Sequence, residues 1–331
     1  MDISYLNLIT TDPSYNLAVE QYVFDELPRD RAYFMLWQND NAIIIGKHQN
    51  TLAEINQKYV HEHGVRVVRR CSGGGAVYHD MGNLNYTFIT DSTQNDSMNF
   101  GIFCEPVIKT LAQFGVHAEL TGRNDMTIAG RKFSGNAQYV RDGRVMHHGT
   151  IMFSSNLSIV SQALTVDPDK IRSKGIASVR SRVTNIAEHL PAPISLSEFR
   201  SALLQNVLKG HSASEYCLTE KDTEAIDNLQ KTRYGTWEWN YGKSPACTVH
   251  KSGRIEGCGK IEAYIQAEHG LITQISFCGD FFSLDEPDIL ARAFVGKRLT
   301  PGGIEGVLND TDVSRYFVGA TNRDVLRILS E

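Results

Sequence analysis

The chain is poor in cysteine and has no C-x-x-C pair. Its six cysteines, at 71, 104, 217, 247, 258 and 278 in 331 residues, are too sparse for a disulfide framework and give no structural zinc spacing. No stretch approaches the roughly 18 apolar residues that a membrane span needs. The opening MDISYLNLITTDPSYN lacks the basic start and apolar run of a secretory signal. Basic residues are not in excess, with 33 Lys and Arg against 38 Asp and Glu and a net charge of −5. That balance argues against non-specific nucleic-acid binding as the main task and leaves room for a local basic site. No internal repeat or low-complexity tract is present. The expectation is a soluble protein of a reducing compartment, the cytoplasm, with no membrane and no nucleic-acid partner.

Two nucleotide-binding signatures are missing as well. No Lys-Ser/Thr follows a glycine run at P-loop spacing, and no G-x-G-x-x-G opens a helix. What the chain does have is VRVVRRCSGGGAVYHDMGNLNYTFIT over 65–90: a strand pattern, two arginines, three consecutive glycines, then a second strand at 85–90. Glycine accepts φ > 0 and has no Cβ to hold a ligand away. Three together let exposed backbone N–H groups curl round an anion, with Arg69 and Arg70 supplying charge. A flexible connection between strands is the plainer reading of the same residues.

A length of 331 residues points to two domains, and a hydrophobic content of 41% suffices for their cores. Asp12-Pro13 opens a helix whose apolar face holds Tyr15, Ala18, Val19, Tyr22 and Val23. Strands follow at 32–37 and 42–45, then helices at 54–63 and 105–114. A β-meander is expected over 116–153, with a hairpin turn at Asp142-Gly143. Residues 167–190 read as loop, 196–208 and 221–231 as helices, the latter capped by Thr219. Gly242-Lys243-Ser244-Pro245 reads as a linker. Beyond it come strands at 246–251, 254–267 and 271–279 and helices near 286–295 and 312–330. His61 and His63, two apart on a helix, do not face one way and read as a solvated end rather than a metal site. Trp237, Trp239 and Tyr241 read as core packing rather than a ligand platform.

RRCSGGGAVYHDMGN, GRNDMTIAGRKFSGNAQ (122–138) and KGIASVRSRVTNIAE (174–188) together resemble the signatures of the lipoate–protein ligase A family, in the biotin/lipoate ligase superfamily. The resemblance covers nearly the whole chain, most weakly after residue 245. It implies an α+β fold: a large catalytic domain (1–241) of mixed and antiparallel sheets flanked by helices, a linker (242–245), and a small C-terminal α+β accessory domain (246–331). It also implies an enzyme that uses ATP and Mg²⁺ to convert lipoate to lipoyl-AMP. The lipoyl group then passes to a lysine of a carrier domain, in E2 subunits of 2-oxoacid dehydrogenases or the glycine cleavage H protein. The enzyme is expected to be a monomer.

Residue by residue, the resemblance makes Lys132 of K-x-S-G the catalytic residue, between the substrate carboxyl and the α-phosphate. Arg70, Gly75, Ala76, Val77, Tyr78, Asn83, Asn124 and Asp125 carry over as nucleotide or adenylate contacts, with Asp125 as the Mg²⁺ ligand. Arg70, Ser72, Gly73, Gly74, His79, Ser134, Gly135, His148 and Thr150 carry over as lipoate contacts. Arg70 takes either the phosphates or the acyl carboxylate end. His79 and Asn83 either orient substrate or pack, and His148 and Thr150 either line the acyl slot or support Lys132. Lys174, Gly175, Ser178, Val179, Arg180 and Arg182 form an adenylate loop. The alternatives are an acyltransferase using a preformed lipoyl or octanoyl donor, with Cys71 as its nucleophile, and a non-catalytic carrier-binding protein. The G-R-G-R-x-G loop of biotin ligases is absent, and RRCSGGG takes its place.

Overall fold

The computed structural model describes residues 2–91, 98–165, 182–242, 249–268 and 270–330. The chain forms two compact units. The first comprises Met1–Ile44, Ile55–Arg69 and Val77–Asn240; the second comprises Ile45–Glu54, Arg70–Ala76 and Tyr241–Glu331. The division therefore differs from a single cut at 242–245, because the glycine loop and residues 45–54 cluster with the C-terminal segment.

In the first unit β1 (Asp2–Asn7) leads to α1 (Pro13–Glu26), β2 (Ala32–Trp37) and β3 (Ala42–Ile45). Asp12 caps α1 by accepting from the N–H groups of Ser14 at 2.8 Å and Tyr15 at 3.2 Å, and Pro13 takes the first helical position, where its missing N–H costs nothing. Every residue of β2, AYFMLW, is buried, which explains its unbroken apolar run. The 54–63 helix is corrected to two short ones, α2 (Thr51–Glu54), which falls in the second unit, and α3 (Gln57–Glu62) in the first. Ile55 leaves helical geometry to bridge Leu164, the N–H of Asn56 reaches Ala163 O at 2.9 Å, and the Asn56 side chain caps α3.

Then come β4 (Arg66–Arg69), β5 (Val77–His79), β6 (Asn83–Asp91) and α4 (Gly101–Gln113). Helix α4 starts a turn earlier than expected and carries Pro106 inside it. The meander is present as β7 (Glu119–Thr121), β8 (Asp125–Ile128), β9 (Arg131–Arg141) and β10 (Arg144–Met152). Asp142 and Gly143 both have positive φ, 51° and 72°, as a twisted two-residue hairpin turn demands. After α5 (Leu157–Ala163), part of the expected loop is a 3₁₀ turn, Ile186–His189. Helix α6 (Leu196–Leu208) opens on a capping box of Ser195 and Glu198; β11 (Ser212–Glu215) and α7 (Glu220–Leu229, capped by Thr219) follow. The aromatic patch is the short helix α8 (Trp237–Tyr241).

The large sheet runs β11-β1-β2-β6-β10-β9-β8-β7, parallel among its first three strands and antiparallel thereafter. A smaller sheet is β4-β3-β5. Helix α1 packs on α7, where Tyr22 Oη donates to Asp222 Oδ1 at 2.6 Å, and α4 packs on α6. Buried Arg69 ties β4 to α8: its Nε donates to Trp239 O at 2.9 Å and its N–H to Asn240 Oδ1 at 2.9 Å.

In the second unit the expected strands at 246–251 and 254–267 are redrawn as β12 (Val249–Ile255) and β13 (Gly259–Glu268), turning at 256–258. They pair with β14 (Leu271–Gly279) in one antiparallel sheet. Helices α9 (Pro287–Phe294), α10 (Pro301–Leu308) and α11 (Asn322–Ser330) pack with it around Ile265, Phe277, Phe281, Phe294 and Phe317. The expected helix over 312–330 is a 3₁₀ turn (Val313–Arg315) and α11, and α10 was not foreseen because three of its eight residues are glycine. Among the described residues no helix is long and apolar enough to cross a membrane.

Gly149 permits a cross-strand contact that decides the middle of the large sheet. Tyr86, Gly149 and Asn136 lie side by side on β6, β10 and β9, and a Cβ on Gly149 would stand 2.1 Å from Asn136 Oδ1 and 2.5 Å from Tyr86 Cε1. Gly149→Ala is expected to destabilise the protein by about 1–3 kcal/mol in urea titration. Gly302→Ala, in α10 with open space around it, is expected to stabilise by about 0.5–1 kcal/mol.

Candidate active site

The site grows from an irregularity in one strand pair. Asp125 faces Gly135 and Met126 faces Ser134, but then Thr127 faces Lys132, so Phe133 is an extra residue on β9. In an unbroken strand, residues three apart point to opposite sides. The bulge returns Lys132 to the side occupied by Gly135 and Asp125. Lys132 Nζ sits 2.7 Å from Asp125 Oδ1, with side-chain exposures of 33% and 26% that leave both open to a ligand. The Lys132 side chain lies over Gly135, where a Cβ would stand 2.8 Å from Nζ. The backbone of Lys132 is held from the other side, donating to Arg182 O at 2.8 Å and accepting from Thr184 N at 2.9 Å. An ion pair this exposed contributes little stability; its consequence is a fixed ammonium.

The same face continues across β10 and β6. Gly135 N donates to Thr150 Oγ1 at 3.2 Å, and Thr150 pairs with Asn85, which in turn faces Trp37. One row further, His148 Nδ1 lies 3.0 Å from Glu20 Oε1, Thr87 Oγ1 donates to the same oxygen at 2.5 Å, and Trp37 Nε1 donates to Thr87 Oγ1 at 2.9 Å. His148 therefore faces a buried carboxylate on α1. Glu20, Trp37, Thr87 and Asn85 were absent from the residues singled out in the sequence. Glu20 had a signal: with Asn16 it places polar groups one turn apart on the buried side of α1.

The opposite face carries Ser134 and Asn136. Asn136 Nδ2 donates to Asn124 O at 3.1 Å and Asn124 Nδ2 to Asn136 O at 2.5 Å, so Asn124 braces the strand that follows Lys132. Tyr86 Oη donates to Asn136 Oδ1 at 2.5 Å and lies 3.2 Å from His147 Nε2, while Gln138 Nε2 lies 3.1 Å from His147 Nδ1. With the Gln138 amide donating to Nδ1, the ring proton is on Nε2 and donates to Tyr86. Burial holds the His147 imidazole well below its usual range, and neighbouring His148 adds to the shift. Burial also raises the Tyr86 hydroxyl far above its usual range and lifts the Cys104 thiol to about 12.

The glycine loop belongs to the second unit, and there it is folded on itself. Arg70 Nη2 donates to Gly73 O at 2.6 Å and Gly75 O at 2.9 Å, and Arg70 Nε to Ser72 Oγ at 3.0 Å. Gly73 and Gly74 are buried, and the N–H of Gly74 donates to Phe281 O at 3.3 Å. The picture of exposed glycine N–H groups is thus corrected at Gly73 and Gly74, against which backbone from the segment after β14 packs, while Gly75 is half-buried. A Cβ on Gly73 would stand 2.3 Å from Phe281 O, so closeness of packing requires glycine there. Ala76 and Val77 are half-buried. Tyr78 Oη donates to Asn41 Oδ1 at 3.0 Å, and burial pushes its hydroxyl up to about 12. His79 Nδ1 lies 3.1 Å from Asn39 Nδ2, and Asn83 Nδ2 donates to Asn85 Oδ1 at 2.9 Å. Cys71 is buried. Lys174, Gly175, Ser178, Val179 and Arg180 lie outside the described residues, as do 243–248. Among the described residues no group of three or more His, Cys, Asp or Glu could hold a metal ion.

The His147 geometry has a pH consequence. Its folded-state affinity for protons is depressed, so the unfolded chain binds more protons near and below the ordinary imidazole value of about 6.5. The stability it contributes is complete above that value and lost as pH falls. Urea titrations between pH 7 and 5 are expected to show stability falling by up to about 1.4 kcal/mol per pH unit from this group. In His147→Gln the slope should be shallower; an unchanged slope would remove His147 as its source.

Residues 12–208 match the family model of the lipoyl protein ligase A/B catalytic domain, and 244–329 match that of the bacterial lipoate protein ligase C-terminus. The chain is 46% identical to the lipoate-protein ligase LplJ of Bacillus subtilis over 321 residues, 96% of this chain and 97% of that one. A bi-partite lipoate protein ligase from Thermoplasma acidophilum, solved in a study of that ligase and its E2 lipoyl domain, is similar at 29% identity and a TM-score of 0.66, covering 75% of this chain and 100% of that one. A lipoate-protein ligase A solved with ATP bound is similar at 27% identity and a TM-score of 0.65, over 73% and 99%. This chain belongs to the lipoyl protein ligase A/B family.

Proposed function

We propose that the protein is an ATP-dependent lipoate–protein ligase, and the observation that carries the reading is Lys132 held over Gly135 beside Asp125. A carboxylate oxygen of lipoate attacks the α-phosphorus of ATP, and the bond to pyrophosphate breaks. Both partners are anionic, so the step needs a fixed positive charge where they meet. The Lys132 ammonium offers that charge and three donors. In the second half, a neutral lysine ε-amine on the carrier attacks the acyl carbon. The acyl–phosphate bond then breaks, AMP leaves with the electron pair, and the amine gives up a proton. Lys132 stabilises the oxygen that gains charge in each half.

Mg²⁺ fits the donor set modestly: Asp125 is a half-exposed carboxylate, and this ion takes one or two carboxylates with phosphate oxygens, whose charge it would neutralise. The apolar and neutral surroundings of Trp37, Thr150 and Asn85 suit the acyl chain. The acceptor is a lipoyl carrier domain, of E2 subunits or of the H protein, and the protein works as a cytoplasmic monomer. In functional terms residues 1–241 make the adenylate, 246–331 form the accessory domain, and 242–245 link them. Through their motifs, Arg70, Gly75, Ala76, Val77 and Tyr78 enter as adenylate contacts, Ser72, Gly73, Gly74 and His79 as lipoate contacts, and Lys174, Gly175, Ser178, Val179, Arg180 and Arg182 as the adenylate loop. Burial of Cys71 weighs against a thioester route.

Intact-mass spectrometry of a lipoyl carrier domain with this protein, lipoate, Mg²⁺ and ATP is expected to show an ATP-dependent lipoyl mass shift. Lys132→Ala should lower its rate by about 10²–10³ or more. Gly135→Ala should lower it too, because the added Cβ would meet Nζ at 2.8 Å. A shift obtained only from a preformed acyl donor would make the protein a transferase, and none under any condition a carrier-binding protein.

A further inference from the structure

We infer that Thr184 is a positioning residue for the Lys132 ammonium, holding the bulged backbone from which that side chain springs; this rests on the ligase reading above. A bulge disrupts the hydrogen-bond ladder where it inserts its residue, and Lys132 stands beside the inserted Phe133. The N–H of Lys132 donates to Arg182 O at 2.8 Å, and its carbonyl accepts from Thr184 N at 2.9 Å. The N–H and C=O of one strand residue point the same way. Both groups therefore turn away from β8, where Thr127 faces Lys132, and toward residues 182–184. Where that segment lies decides how the Lys132 side chain leaves the strand.

The side chains of Thr184 and Asn185 fix the segment. Thr184 is fully buried. Its Oγ1 donates to Glu188 Oε2 at 3.3 Å and lies 2.8 Å from His189 Nε2, which ties it to the 3₁₀ turn. The same carboxylate oxygen lies 3.8 Å from Nη1 of Arg131, the residue before Lys132, so the turn reaches back to β9. Asn185 makes a second tie. Its Oδ1 accepts from Ser155 N at 2.9 Å, and its Nδ2 donates to Ser155 O at 3.0 Å. Ala187 N adds a bond to Phe153 O at 3.0 Å. Phe153 and Ser155 follow closely on β10, the neighbour of β9 in the large sheet.

The Thr184 hydroxyl is buried and spent on partners within the protein, so its effect on the reaction passes through Lys132. An ammonium at the end of a long side chain moves with its own Cα. Misplacing a group in a reacting array by about 1 Å can cost about 10²-fold in rate. The charge counts most where charge gathers in the transition state, so the loss falls on kcat rather than on KM.

The test is a double-mutant cycle in the carrier assay, with kcat and the KM values for lipoate and ATP taken from rates of the mass shift. Thr184→Val, close in shape but without the hydroxyl, is expected to lower kcat about 10–100-fold and to leave both KM values within about threefold. Thr184→Ser, which keeps the hydroxyl, should recover most of the rate. In a Lys132→Ala background Thr184→Val should change the residual rate by less than about twofold, because the group it positions is gone. Equal fold losses in the two backgrounds overturn the inference, and so does a Thr184→Val kcat within about twofold of wild type. If Thr184→Val does not fold, Asn185→Ala takes its place in the same cycle, with the same results for and against. A wild-type protein that shows no ATP-dependent transfer would instead overturn the ligase reading itself, and this inference with it.

Discussion

The bulge at Phe133 is the constraint on which the site depends. Without the extra residue, Lys132 and Gly135 would point to opposite sides of β9, and the ammonium could not lie over the glycine beside Asp125. The K-x-S-G spacing and the register shift are thus one feature seen twice. The small residue clears space, and the bulge turns the charge into it. The bonds from Lys132 to Arg182 and Thr184 anchor the bulged backbone to a segment fifty residues downstream.

The two faces of β9 do different work. One carries the charged pair and the polar row reaching to Trp37. The other is braced by Asn124, Asn136, Tyr86 and His147, joined through the gap left by Gly149. Each buried member of that brace has a defined donor or acceptor role, which requires a neutral imidazole and an un-ionised phenol. Rigidity on one face is what allows a precise charge on the other.

The glycine loop is rigid for a different reason. Arg70 binds the loop's own carbonyls, and Phe281 O approaches where any Cβ would collide. A run that reads as conformational freedom is, in the folded protein, a requirement for close packing within the second unit. Gly73 and Gly74 are needed whether or not an anion is bound.

Local signals were enough for much of the fold. Asp12-Pro13, Ser195-x-x-Glu198 and Thr219 carry caps that start helices by chemistry within three residues, and Asp142-Gly143 carries its own hairpin. Lys132, Gly135, Asp125 and Thr150 were legible through their motif, and the tertiary structure brings them to one face. What local pattern could not carry was anything settled by distant partners. The break at Ile55 needs Leu164, the second unit needs residues 45–54 and 70–76 beside a segment two hundred residues later, and Glu20 matters only because β6 and β10 bring Thr87 and His148 to it. Sequence alone determined the caps, turns and motif chemistry, because those energies act over a few bonds. Register and the bulge were decided by the tertiary structure, because only pairing across strands says which side chains face one another.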